Sequence, residues 1–254
     1  MYRYYITEAK RNGYQICSME QFWREKETDR KHFILRHDID HKSTGTRRMY
    51  ELEKACGVVS TYYFRHCTMD AGLMREMQEY GFEVGLHYET LSDYAEEKFL
   101  DTVDEHDLLI CRERLKKEIA EFQRLLPKKI SSVCSHGAAA NRRIRCSNNV
   151  LLEGECCDDY SIEFEAYDKI MYEKYVDEHI MDNTICENYG FSYAADPISA
   201  IQSGKRNIIF LTHPNHWQQS FGRSVKDLMK LMLGRCTYSS NRSFVRIQDS
   251  HTGS

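Results

Sequence analysis

The stretch HFILRHDID, from His32 to Asp40, decides the fold predicted for this chain. Its apolar first half and polar second half are typical of a buried strand whose carboxyl end emerges at a functional site. Asp38 and Asp40 are two residues apart, so on an extended strand both side chains project to the same side. Two carboxylates this close resist simultaneous ionisation unless a cation or a proton separates their roles. A turn, or a cap for the helix that starts near Thr44, is the alternative role for either aspartate.

Strands and helices alternate on the carboxyl side of this stretch. The spacing of apolar residues predicts a helix, a strand, a helix and a strand over 44–57, 58–64, 72–81 and 82–87. It then predicts a helical region over 91–126, strands over 130–136 and 207–214, and a last helix over 224–233. Residues 139–189 show no pattern that we can assign. Such alternation implies parallel strands joined by helical crossovers. We therefore expect an α/β barrel or a wide open sheet, with a ligand site beyond the carboxyl ends of the strands.

The composition predicts one soluble globular domain over residues 1–254. The 254 residues contain only three Pro, and no Gly-, Ser- or Pro-rich linker divides them. With 35 Lys and Arg against 39 Asp and Glu, the chain has a net charge of −4, which argues against the basic surface of a nucleic-acid-binding protein. The sequence contains no run of about 18 apolar residues that would span a membrane, and it indicates no oligomeric state.

We expect a cytoplasmic protein with reduced cysteines. The opening residues, MYRYYITEAKRNGY, carry charges where the apolar core of a signal peptide would lie. The ten Cys are scattered and form no C-x-x-C pair. Buried thiols are therefore a better interpretation than a disulfide framework, which remains the alternative.

Histidines occur at the carboxyl ends of the predicted strands. His is only 11 of 254 residues, yet His37, His87, His136 and His213 each lie at the end of a different strand. One Asp and two His form the ligand set that a divalent transition metal, most often Zn²⁺, takes when one coordination position stays open. We predict Asp40, His87 and His136 as these ligands. For the two histidines, a structural hydrogen bond or a helix cap is the alternative.

A metal at this position predicts a hydrolytic reaction. A bound divalent metal lowers the pKa of water from about 15.7 toward about 7, which makes water a nucleophile near neutral pH. Asp38, if it is not a ligand, can accept a proton from that water, and His213 can protonate the leaving group. A cysteine nucleophile at Cys134 would need an adjacent base and a lowered pKa, and we consider it the weaker hypothesis.

Together these motifs resemble the polysaccharide deacetylase superfamily, which is carbohydrate esterase family 4 with the NodB-like fold. The resemblance extends over residues 30–220 and rests on R-H-D-I-D (36–40), S-T-Y-Y-F-R (60–65), G-F-E-V-G-L-H-Y-E (81–89), C-S-H-G (134–137) and L-T-H-P (211–214). It implies a distorted (β/α)7 barrel and the removal of an acetyl group from an N-acetylated sugar by metal-activated water. It also implies that Asp38 is the base, Asp40 a metal ligand and His213 the general acid.

The sequence departs from the family pattern at one metal position. The family's second motif contains two metal-binding histidines four residues apart, and here His87 matches the first while Leu91 occupies the second. The R-H-D-x-D and x-H-G motifs more closely resemble a divergent intracellular branch that occurs with surface-polysaccharide biosynthesis. We therefore predict His136 as the replacement ligand. The D-x-D spacing leaves the division of roles between Asp38 and Asp40 open.

Four further residues are predicted at the substrate. Arg36 or Arg65 can take the place of the arginine that orients the base in the family, with a surface ion pair as the alternative. His216 and Trp217 can line the mouth and stack on a sugar, although ordinary residues at a helix start are an equally simple interpretation. Glu89 can contact a ligating histidine, but an exposed loop carboxylate is the simpler expectation.

The sequence thus predicts a metal-dependent deacetylase whose substrate is a carbohydrate or a sugar nucleotide. A hydrolase for a non-sugar amide or ester is an alternative, since a fold does not determine a substrate. A catalytically inactive carbohydrate-binding relative is another, because Leu91 replaces a metal-binding histidine.

Overall fold

The computed structural model describes residues 1–182, 191–192 and 196–217. The strands in these ranges are β1 Gln15–Cys17, β2 His32–Ile39, β3 Thr61–Phe64, β4 Glu83–Tyr88, β5 Ser132–Ser135, β6 Phe164–Glu165, β7 Glu178–Asp182, β8 Phe191–Ser192 and β9 Asn207–Thr212. The α-helices are α1 Tyr2–Arg11, α2 Met19–Glu25, α3 Thr44–Ala55, α4 Ala71–Tyr80, α5 Thr90–Glu97, α6 Glu105–Arg124, α7 Ala139–Ile144, α8 Lys169–Tyr175 and α9 Pro197–Gln202. The helix predicted at 224–233 lies outside the described residues.

The strands form one mainly parallel sheet in the order β6-β5-β4-β3-β2-β9-β7-β8. Neighbours from β6 to β7 along this order pair in parallel, β8 pairs with β7 antiparallel, and β1 joins β2 in parallel. The sheet curls into a half-barrel, consistent with a distorted (β/α)7 barrel. The predicted α/β class is therefore confirmed, and the carboxyl ends of the parallel strands lie along one edge.

The alternation of side chains along the strands separates two apolar cores. One face of the sheet carries Phe33, Leu35 and Phe210, which pack in a large cluster with residues of α3, α4 and α6. The other face carries Ile34 and Ile209, which pack in a smaller cluster with residues of α2 and α8. All eight residues of β2 are buried, as expected for a strand covered on both faces.

Gly85 allows the strands that carry the site to pack closely. A Cβ atom at this position would lie 2.6 Å from the ring of Tyr63 in β3 and 2.7 Å from the carbonyl oxygen of Ser132 in β5. Tyr63 thus approaches the β4 backbone two residues before His87. The ring of Tyr63 takes the space that a side chain at residue 85 would fill.

Several element boundaries differ from the predicted ones. The helical region 91–126 is two helices: Phe99 adopts a left-handed φ of 55°, and Asp104 caps α6 by accepting a hydrogen bond from the backbone N–H of Asp107. The unassigned stretch 139–189 contains α7, β6, α8 and β7, whose two to seven residues are too few to show a clear periodicity.

The described residues form one compact unit, and the single domain predicted for 1–254 stays a prediction. No helix in the described part of the chain is long and apolar enough to cross a membrane. The eight cysteines that the structure describes are free thiols.

Candidate active site

Polar side chains from neighbouring parallel strands meet at the carboxyl edge of the sheet. Asp38 lies in β2 and Asp40 directly follows it, while His87 lies in β4. His136 and His213 directly follow β5 and β9. The structure thus brings the five residues that the sequence assigns to metal binding and catalysis to one edge of the sheet, where ligands of open parallel sheets bind.

Asp40, His87 and His136 have the geometry of a metal centre. Oδ1 of Asp40 lies 3.5 Å from Nε2 of His87 and 3.5 Å from Nε2 of His136. One ligand atom from each residue lies within 4.8 Å of the others. Ligand atoms about 2.1 Å from a tetrahedral zinc ion lie about 3.4 Å from one another, so these spacings fit a shared ion.

The buried Oδ1 atom of Asp40 supports this fit. Among the described residues it has no hydrogen-bond partner. A buried carboxylate oxygen without a partner is costly, because it loses its hydration and gains nothing in return. A cation held between Asp40 and the two histidines would compensate this cost.

Hydrogen bonds orient both histidines toward Asp40. Nδ1 of His87 lies 3.0 Å from the carbonyl oxygen of Cys134, and Nδ1 of His136 lies 2.9 Å from Oε1 of Glu89. A carbonyl oxygen and a carboxylate can only accept here, so each histidine carries its proton on Nδ1. The Nε2 lone pairs therefore face Asp40, as metal ligation requires.

Glu89 is held in place by Arg65. Nε and Nη2 of Arg65 donate to the two carboxylate oxygens of Glu89 at 2.7 and 2.8 Å, and Nη1 donates to the carbonyl oxygen of Asp40 at 2.9 Å. Burial acts to raise the pKa of Glu89, but hydrogen bonds from His136 and Arg65 lower it to about 2. The expectation of an exposed loop carboxylate is therefore wrong. Arg65 donates hydrogen bonds to Glu89 and Asp40 and none to Asp38, so it is not the residue that orients the predicted base.

Arg36 forms a buried ion pair with Asp38. Its Nε and Nη2 atoms donate to Oδ1 and Oδ2 of Asp38 at 2.9 and 2.8 Å, and the two side chains are 0% and 4% exposed. The alternative of a surface ion pair is therefore wrong. The prediction that Arg36 contacts substrate is also wrong, because its guanidinium is fully buried against Asp38 and the ring of Tyr167. Arg36 instead has the geometry to orient Asp38.

The surroundings of Asp38 and Asp40 distinguish their roles. Burial acts to raise the pKa of Asp38, but the charge of Arg36 and its hydrogen bonds hold the pKa well below its usual range. Both oxygens of Asp38 accept from Arg36, whereas Oδ1 of Asp40 faces the two histidines. Asp38, His87 and Cys134 also lie close enough to share an ion, but burial raises the pKa of the Cys134 thiol well above its usual value. Oδ1 of Asp40 has no hydrogen-bond partner among the described residues, whereas Arg36 donates to both oxygens of Asp38, so the geometry favours Asp40 as the ligand.

His213 is paired with Asp182, a residue that the sequence analysis did not identify. Nδ1 of His213 lies 2.6 Å from Oδ1 of Asp182, and the backbone N–H of His213 donates to Oδ2 at 2.9 Å. Burial acts to lower the pKa of His213, but the hydrogen bond and the charge of Asp182 raise it above its usual value. Nε2 of His213 points to Oδ2 of Asp40 at 3.5 Å, so a protonated His213 can deliver a proton beside the metal ligands.

His216 and Trp217 also contact Asp182. Nε1 of Trp217 donates to Oδ2 of Asp182 at 2.8 Å, and Nδ1 of His216 lies 3.3 Å from the same oxygen. The indole also packs against Tyr2, with ring centroids 5.4 Å apart. Both side chains thus support the His213–Asp182 pair, and their contact with a sugar stays a prediction.

The sequence contained one signal for Asp182. It ends the short strand β7 after Ile180 and Met181, so it repeats the apolar-to-polar ending of the other strands at the site. Glu178 and His179, at the start of this five-residue strand, interrupt the apolar pattern and hide the signal.

The fold is similar to solved structures of family 4 carbohydrate esterases at low sequence identity. One is a putative polysaccharide deacetylase involved in O-antigen biosynthesis from Bordetella bronchiseptica, with 16% identity, a TM-score of 0.45, and coverage of 91% of this chain and 94% of that chain. Another is the catalytic domain of a peptidoglycan N-acetylglucosamine deacetylase from Eubacterium rectale, with 12% identity, a TM-score of 0.44, and coverage of 85% and 93%. A family 4 pseudoenzyme from Bacillus anthracis has 15% identity, a TM-score of 0.43, and coverage of 83% and 63%.

This chain spans just under two thirds of the pseudoenzyme chains, at 63–65% of their length. No family model matches the sequence, and no curated protein matches it. Identities of 12–16% with TM-scores of 0.43–0.45 assign no activity to this chain. The function must be inferred from the residues at the site.

Proposed function

We propose that this chain is a metal-dependent hydrolase that removes an acetyl group from an N-acetylated sugar or a sugar-containing precursor such as a sugar nucleotide. The proposal rests on one observation. One ligand atom from each of Asp40, His87 and His136 lies within 4.8 Å of the others, so the three residues can bind one ion. The Arg36–Asp38 pair and the Asp182–His213 pair lie beside these ligand atoms. The motif resemblance supports the acetylated sugar as substrate. The same resemblance supports a cytoplasmic role in surface-polysaccharide biosynthesis.

The donor set favours a zinc-type ion. One carboxylate oxygen and two imidazole nitrogens are the ligands that borderline metals such as Zn²⁺ prefer, and three protein ligands leave a position open. When bound, such an ion polarises a carbonyl group and lowers the pKa of water. The set is complete although Leu91 replaces a metal-binding histidine, because His136, which directly follows β5, is the proposed third ligand.

Asp38 is the proposed general base. Oδ2 of Asp38 lies 3.5 Å from Nε2 of His87, next to the ligand set, and the lowered pKa keeps Asp38 ionised at neutral pH. Arg36 fixes the direction of the carboxylate through two parallel hydrogen bonds. Asp38 can therefore take a proton from the attacking water without first losing one of its own.

His213 is the proposed general acid. Asp182 holds the Nδ1 proton, so the Nε2 proton of the imidazolium is the one that His213 can donate. As water attacks the acetyl carbon, the C–N bond breaks and the amine nitrogen accepts this proton. The products are acetic acid, which ionises to acetate, and a free amino sugar. The proton taken up by Asp38 passes to solvent and His213 takes one up from solvent, so both residues return to their starting states.

The test measures metal content and acetate release in the same preparations. We expect about one zinc ion per wild-type chain, and acetate release from at least one member of a panel of N-acetylated monosaccharides, nucleotide sugars and oligosaccharides. Asp38→Asn should retain the metal and lose about 10²- to 10⁴-fold in kcat, the usual contribution of a positioned acid or base. Wild-type protein without stoichiometric metal, or Asp38→Asn with full activity, would falsify the proposal. Turnover of non-sugar amides alone would replace the substrate class and retain the residue roles.

A further inference from the structure

Arg65 and Glu89 lie beside the site, and neither has a role in the proposed reaction. We propose that they are positioning residues that hold Asp40 and His136 in ligating geometry and thereby determine how tightly the site retains its metal. This inference rests on the proposed metal centre and concerns the residues that surround the three ligands.

His136 depends on contacts from outside its own strand. Its backbone N–H donates to the carbonyl oxygen of Tyr88 at 2.9 Å, and its carbonyl oxygen accepts from Nδ2 of Asn148 at 2.6 Å. These contacts fix the backbone, but they leave the imidazole ring free to rotate. The ring is oriented by the contact between its Nδ1 atom and Oε1 of Glu89 at 2.9 Å. Without this acceptor, the proton can move to Nε2, and the nitrogen that faces Asp40 can no longer bind a metal.

Arg65 connects this contact to Asp40. Its planar guanidinium donates two hydrogen bonds to Glu89 and a third to the carbonyl oxygen of Asp40. A rigid fork of this kind fixes both distance and angle, which a lysine cannot do. Arg65 follows β3, so it spans from the end of β2 to the end of β4. Two of the three proposed ligands are therefore positioned by one ion pair.

The arrangement matters because the proposed ligands come from three different strands. Asp40, His87 and His136 belong to the ends of β2, β4 and β5, so no single helical turn sets their spacing. Small shifts between strand ends would separate the ligand atoms. The Arg65–Glu89 pair crosses these strand ends and limits such shifts. The charge of Glu89 also makes the imidazole of His136 a stronger ligand.

The test compares zinc affinity in three full-length proteins by competition with a chromophoric chelator. Glu89→Gln keeps the shape of the side chain but removes its charge and one of the two oxygens that accept hydrogen bonds from Arg65. We expect its zinc dissociation constant to rise about 10- to 100-fold, the usual effect of removing a residue that supports a metal ligand. The control is Glu118→Gln, which removes the charge of a nearby carboxylate. Glu118 accepts a hydrogen bond from Thr90, and its side chain is about as buried as that of Glu89, with 18% exposed against 12%. The control should bind zinc as wild type does.

Two further measurements separate positioning from general destabilisation. The thermal midpoint of metal-free Glu89→Gln should stay close to that of wild type, and the visible spectrum of its Co²⁺ form should change because the coordination geometry changes. Arg65→Lys provides a second variant if Glu89→Gln does not fold, and it should also bind zinc more weakly. Equal zinc affinity in wild type and in the folded variants overturns this inference and leaves the proposed function standing. Equal weakening in Glu118→Gln also overturns it, and a wild-type chain that binds no zinc overturns both.

Discussion

Replacing Asp182 with Asn tests whether the partner of His213 acts in catalysis. The substitution removes the charge that raises the pKa of His213, so burial then dominates and the pKa falls below its wild-type value. A general acid must be protonated to act. Activity in Asp182→Asn should therefore decline at a lower pH than in wild type, which moves the alkaline limb of the pH–rate profile to lower pH.

The contacts of Asp182 indicate the size of the effect. Asn can still accept from Nδ1 of His213, but its amide nitrogen would replace the oxygen that accepts from the backbone N–H of His213 and from Nε1 of Trp217 at 2.9 and 2.8 Å. Donors would then face donors at one buried and one half-buried position. At about 1 kcal/mol or more for each lost hydrogen bond, we expect a loss of about 2–3 kcal/mol in the free energy of unfolding. We expect kcat to fall about 10²- to 10⁴-fold, as for loss of a general acid.

Two assays check this prediction, and one of them needs no substrate. The imidazole of His213 can be titrated by NMR in metal-free protein, and acetate release can be followed against pH. The control is Asp177→Asn at the opposite end of β7 and β9, where Asp177 accepts hydrogen bonds from the backbone N–H groups of Arg206 and Asn207. It should lose stability without changing His213. An unchanged His213 titration in Asp182→Asn would show that the pair has no electrostatic role.

Two further predictions concern the core beside the site. Glu53 is fully buried and accepts hydrogen bonds from Tyr2, Ser60 and Tyr62, with His37 at 2.9 Å, so Glu53→Ala should lose about 3–5 kcal/mol in urea denaturation. Burial acts to raise the pKa of Glu53, but the charge of His37 and the hydrogen bonds outweigh burial, so the net pKa is lowered. The stability that Glu53 contributes is therefore present above the unfolded pKa of about 4.3 and is lost as the pH falls through the folded pKa. A wild-type-like urea midpoint in Glu53→Ala would contradict the prediction. Gly85→Ala should lower the thermal midpoint by an amount equivalent to about 1–3 kcal/mol, because the added Cβ would meet the ring of Tyr63 at 2.6 Å. Gly137→Ala, whose Cβ would meet no described atom within 4 Å, is its control, and equal midpoints for the two variants would refute the steric argument.

Long strands and helices were predictable from the sequence, and short ones were not. The apolar runs in 32–40 and 207–214, each with a polar end, are long enough to identify β2 and β9 as buried strands. The described elements within 139–189 have few residues each, so their local pattern is weak and their packing in the two apolar cores determines them. For the same reason Asp182, at the end of β7, was not recognised.

The site could be predicted in part because parallel strands bring their carboxyl ends together. This rule placed Asp38, Asp40, His87, His136 and His213 at one edge, and the structure shows them there. It could not predict which partner each side chain has. Arg36 donates to Asp38, and Arg65 donates to Glu89. These pairings depend on side-chain directions, which the spacing of residues does not specify.

By itself, the sequence determined the α/β class and the set of chemical groups at the strand ends, because periodicity and residue type are local properties of a chain. Only the tertiary structure decided that Oδ1 of Asp40 faces His87 and His136, and that Asp182 supports His213. Contacts between residues that are 31 to 96 positions apart depend on how strands order and curl in the sheet. That arrangement follows from the packing of the whole core, so no segment of the chain contains it.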